Sequence, residues 1–109
     1  METFEANSEV WLEAGHICIR KALAEYIFGR SEAVLSHYYP KESLFLAAAA
    51  DEPVYASLYR MKRHVLKTSS MGDRWIPIQE LLAEYGVDDE ARDLSFVEDE
   101  PMHMLKIRL

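Results

Sequence analysis

The chain has 109 residues, half of them hydrophobic and 28% charged, with four glycines, four prolines and a formal net charge of −7. This length suits a single domain spanning 1–109 with its own core, and this balance excludes a disordered tail. The longest apolar-rich run, residues 43–50, falls far short of the ~20 residues a membrane helix needs, no basic stretch leads into an apolar one at the N-terminus, and Cys18 has no second cysteine to pair with, so a cytoplasmic protein is expected.

The first predicted element is a long helix over 9–28, capped by Ser8 and stopped by Gly29. Leu12, Ile19, Leu23 and Ile27 form one stripe along it, and Trp11, Cys18, Ala22 and Tyr26 form the next. An apolar face this broad exceeds what one small core covers, which points to a homodimer associating through Leu12, Gly15 and Ile19. Gly15 inside a helix costs roughly 1 kcal/mol relative to Ala, a cost that close approach of a second helix would offset.

Short helices are predicted over 31–38, ended by Pro40, and over 42–50. Asp51 then caps a stronger helix reaching Lys67, with Val54, Leu58, Met61 and Val65 on one face and Tyr55 and Tyr59 beside it. Its end opens a basic segment, residues 60–74. Trp75-Ile76-Pro77-Ile78 reads as a short extended piece, QELLAEY as two helical turns capped by Gly86, and LSFV, EDEP and MHMLKIRL as a terminal hairpin. The predicted fold is therefore mainly α, with four to five helices and a C-terminal β-hairpin, and no internal repeat is apparent.

The stretch TSSMGDRWIPIQELLAEYGV, followed by a hairpin, resembles the middle of a winged helix-turn-helix. That resemblance implies a DNA-reading helix directly after Gly86. Where it would lie, Asp88, Asp89, Glu90 and Asp93 face only Arg92, and carboxylates at that position repel phosphate. Nucleic acid is thus an unfavoured partner.

Enzymatic signatures are missing as well. His16, His37, His64 and His103 fall in separate predicted elements, and His16 and Cys18 would point roughly 200° apart on a helix. No phosphate-binding glycine loop or nucleophile elbow occurs. No catalytic residue, metal site or cofactor is expected. The favoured reading is a small regulatory or inhibitory protein that binds another protein with a basic face, of the kind that occludes a DNA-binding regulator. Trp11, Tyr55 and Tyr59 would anchor that partner, and Asp88, Asp89 and Glu90 would steer it. The alternative reading is a winged-helix DNA-binding regulator using residues 60–74.

Overall fold

Alternation, rather than a helical stripe, governs the start of the chain. In the computed structural model, which describes residues 5–51, 61–100 and 102–109, Val10 and Leu12 are buried while Glu9 and Glu13 are exposed. This is the two-residue period of a strand with one face in the core. Ala14 and Gly15 take positive φ values of 49° and 73°, as a two-residue type I′ turn demands. The chain reverses there from β1 (Glu5–Glu13) into β2 (His16–Ile19), with Val10 opposite Ile19 and Glu13 opposite His16. The long N-terminal helix is accordingly replaced by a hairpin, and only its final turns persist as α1 (Lys21–Phe28), ended at Gly29 as expected. The broad apolar face has a different cause from self-association along a helix. It belongs to strands buried on both sides, where Ile17, Cys18 and Ile19 are all inaccessible.

The two short helices expected next are also strands, β3 (Ala33–Tyr39) and β4 (Leu44–Ala49), joined through the positive-φ residue Ser43. The alanines favour a helix intrinsically, but β4 is an interior strand paired on both edges and α1 packs across it. Small side chains suit that close approach, and tertiary packing overrides propensity. Of the helix expected to reach Lys67, residues 52–60, including Tyr55 and Tyr59, lie outside the described residues. The remainder forms β5 (Lys62–Val65) and β6 (Lys67–Thr68).

The last third follows the sequence more closely. An extended β7 (Arg74–Pro77) enters α2 (Gln79–Tyr85), Gly86 caps that helix in the left-handed conformation, and β8 (Arg92–Asp99) and β9 (Met104–Arg108) pair as a hairpin. Leu105 and Ile107 turn inward, as their alternation predicts. No further helix follows α2, whose loop leads straight into β8. The winged-helix order is therefore overturned, and the fold is mostly β with two helices among the described residues.

All strand pairs are antiparallel, in the order β5-β3-β4-β9-β8-β1-β2-β7-β6. The two ends of this sheet are consecutive pieces of one strand, separated only by Leu66, whose N–H donates to Glu32 O at 2.8 Å. Before Leu66 the strand pairs with β3, and after it with β7. The change of partner closes the sheet into a nearly complete barrel. Leu12, Ile19, Phe45, Ile76, Leu105 and Ile107 fill it, each stabilising by roughly 1.5–3 kcal/mol on the area it removes from water. Leu23 and Ile27 of α1, with Leu81 and Leu82 of α2, join the same core.

The fold discloses a repeat that the linear sequence hides. Each half runs strand, strand, helix, strand, strand, with β5 and β6 counting as one strand. Exchanging the halves swaps β1 with β5/β6, β2 with β7, β3 with β8 and β4 with β9, and it leaves the ring of neighbours unchanged. The residues agree. At one constant spacing, Ile17 matches Ile76, Ile19 matches Ile78, LAEY at 23–26 matches LAEY at 82–85, and Leu35-Ser36 matches Leu94-Ser95. Among the described residues no helix is long and apolar enough to cross a membrane.

Candidate functional site

The anticipated partner-binding residues divide by location. Asp88, Asp89 and Glu90 lie on the exposed loop between α2 and β8. That loop is internally tied: Glu90 N–H donates to Asp88 Oδ1 at 3.0 Å, and the Arg92 guanidinium donates to the carbonyl oxygens of Asp88 and Glu90 at 2.9 Å each. Arg92 is thus held on backbone oxygens, and Asp88, Asp89 and Glu90 stay exposed. Among the described residues none of the three takes part in an ion pair.

Trp11 reaches the same face through strand pairing. In the β1–β8 register it stands opposite Asp93, and Leu12 stands opposite Arg92. Its indole N–H donates to Glu13 Oε1 at 3.0 Å, and the Arg20 guanidinium lies 4.4 Å from the ring centroid, a cation–π contact that fixes the ring. Arg20 in turn meets Asp73, whose buried carboxylate also accepts the Lys21 N–H at 3.1 Å and so satisfies the start of α1. Between the β1–β2 turn and α2 lies a hollow of about 470 Å³, lined by Gly15, Leu82, Val87 and Asp89 among others.

The residues chosen for self-association do not form a surface. Leu12 and Ile19 are inaccessible, and Gly15 sits in the turn with its α-carbon facing Gln79, where an added Cβ would meet the Gln79 Cβ at 3.1 Å. Tyr55 and Tyr59 lie outside the described residues.

No protein family, curated protein or solved structure matches this chain. Its chemistry must therefore be read from its own groups. Among the described residues no three His, Cys, Asp or Glu side chains gather as a metal ion would require. Burial pushes the Cys18 thiol up to about 12, with Glu13 and Asp73 acting in the same direction, so this sulfur is held as an inert thiol.

A different pair was missed by sequence reasoning. Ser36 of β3 and His64 of β5 both point into the barrel, and Ser36 Oγ lies 2.7 Å from His64 Nε2. They come together because β5 pairs with β3, setting Val34 opposite His64 and Ser36 opposite Lys62. Ser36 Oγ also stands 3.5 Å from the Lys62 carbonyl oxygen. Burial pulls the His64 imidazole below its ordinary value, and the Lys62 charge adds to this; the Pro77 backbone and Glu80 oppose them. Two hollows flank the pair. One, of about 360 Å³, is lined by His64, Lys62 and Leu81, and the other, of about 230 Å³, by Ser36, Tyr38, Leu81 and Tyr85. Tyr38 and Tyr85 contact each other there, with ring centroids 5.0 Å apart.

Proposed function

We propose that the chain acts by binding a protein with a basic face, through the surface made by Trp11, Asp93 and the Asp88–Glu90 loop. The observation that carries this reading is the β1–β8 register, which sets a half-buried, cation-braced indole opposite Asp93, in the strand that the acidic loop leads into. An aromatic ring held rigidly loses little entropy on contact, and charges around it speed the approach of an opposite partner. The hollow under the loop, with Leu82 and Val87 in its wall, offers an apolar place for a partner side chain. Covering the basic face of a DNA-binding regulator is the regulatory role this surface suits.

The test uses the full chain as bait at ~150 mM salt, close to the ionic strength where the Debye length is ~8 Å. Wild type is compared with Trp11→Ala and with Asp88, Asp89 and Glu90 changed together to Ser, each variant first checked by thermal unfolding. The expected result is a basic protein retained by wild type, released faster from Trp11→Ala, and captured more slowly by the triple variant. Retention of the same proteins with unaltered rates by both variants overturns the proposal.

A further inference from the structure

Ser36 and His64 meet the geometric conditions for an activated hydroxyl. The nucleophile and its base are 2.7 Å apart, within the reach that proton transfer requires. With its proton on Nδ1, the neutral ring presents the Nε2 lone pair to Ser36. Both side chains are almost wholly removed from water, yet each lines a hollow that opens beside α2. A hydrogen-bonded pair serving only to fill the core has no need of openings on both of its sides.

We propose that Ser36 is a nucleophile and His64 its general base, and that the pair accepts a short acyl group from an activated carboxylic ester. The hollow at Ser36 limits the size of that group. At about 230 Å³, lined by Tyr38, Leu81 and Tyr85 together with His37, Lys62 and Glu84, it has room for a short chain only. Ser36 Oγ attacks the ester carbonyl carbon while its proton passes to His64 Nε2. The tetrahedral adduct then collapses, the bond from carbon to the departing oxygen breaks, and the phenolate leaves with the bonding pair. The chain is left as an ester on Ser36, and His64 holds the transferred proton until water removes it. The ionisable groups around the ring and its two hollows are Lys62 and Arg63 on its own strand, Glu80 and Glu84 on α2, and His37, Tyr38 and Tyr85 at the second hollow. Among these, Lys62 opposes protonation of the ring and Glu80 favours it.

The experiment mixes the full chain with p-nitrophenyl butyrate and follows p-nitrophenolate release, with peptide mass mapping of the product. The expected result is a burst of one equivalent per chain and a butyryl group on Ser36. Ser36→Ala abolishes the burst. His64→Gln keeps a hydrogen-bonding side chain in place and slows acylation by about a hundredfold or more, in line with the contribution of a positioned base. The wild-type rate is expected to hold through about pH 6.5, the ordinary histidine value, and to decline only at lower pH, because burial lowers the folded value and only the neutral ring accepts the proton. Circular dichroism confirms that both variants are folded, and an isopropyl phosphonofluoridate probe, which labels activated serines whatever the acyl pocket, supplies a second readout. A burst of equal size in Ser36→Ala, labelling at another residue, or no labelling by either reagent in the folded wild type overturns the proposal.

Discussion

His64 is held where only its neutral form is comfortable, and that has a consequence for stability as well as chemistry. Its folded value lies below the ordinary 6.5 because of burial and Lys62. As pH falls, the unfolded chain therefore takes up the proton first. The stability His64 contributes is complete above about 6.5, and it is lost progressively as pH falls through 6.5 toward the lower folded value. The thermal midpoint of wild type should drop more between about pH 7.5 and pH 5.5 than that of His64→Gln, whose side chain does not titrate. Parallel curves for the two proteins would show that His64 does not differ between folded and unfolded states. Cys18 behaves in the opposite sense at the other end of the scale. Its thiol, raised to about 12, favours the folded state less and less as pH rises above its ordinary 9.0.

Among the elements, the β1–β2 hairpin shows how a single residue decides a local structure. Gly15 has a φ of 73°, and a Cβ there would also press on Gln79. Gly15→Ala should therefore cost on the order of 1–3 kcal/mol, seen as a lower denaturant midpoint, with no change in the mass of the native species. A shift in oligomeric state without loss of stability would contradict this account. The same residue explains what the sequence withheld. Leu12, Ile19, Leu23 and Ile27 fit a helical stripe as well as they fit two alternating strands and a short helix, and only the reversal at Ala14-Gly15 separates the two. Elements whose signals are local were legible: Gly86 after QELLAEY, and the alternation of Leu105 and Ile107. The alanine run of β4 was not, because β9, which pairs along its other edge, lies far from it in sequence and helps decide its conformation. The candidate sites divide in the same way. The charge of Asp88, Asp89 and Glu90 was visible in the sequence, whereas Trp11 meeting Asp93, and Ser36 meeting His64, depend on strand registers between distant segments.

For the whole molecule, the exchange of halves that preserves the strand ring separates what is shared from what has diverged. Interior equivalents such as Ile19 and Ile78 are identical and buried, while the corresponding loops carry Arg30 and Glu32 in the first half and Asp88, Asp89 and Glu90 in the second. The common scaffold is inside, and the difference is outside. Neither half is complete alone, because β1 and β2 find their outer neighbours in β8 and β7, and β3 and β4 find theirs in β5 and β9. Glu5 and Arg108 stand close for the same reason. Glu5 pairs with Phe96 on one edge of β8, and Arg108 pairs with Ser95 on the other. Two strand spacings separate them, about 10 Å, which a short glycine-serine linker spans. The molecule is therefore close to circular in its connectivity, and its chain order is only one of the ways of threading the same ring. A permuted chain that begins at Asp51, joins Leu109 to Met1 through such a linker and ends at Ala50 should fold to the same far-ultraviolet spectrum and unfold in one cooperative transition. Loss of that transition would mean that the order of synthesis, as well as the ring of neighbours, is needed to reach the barrel.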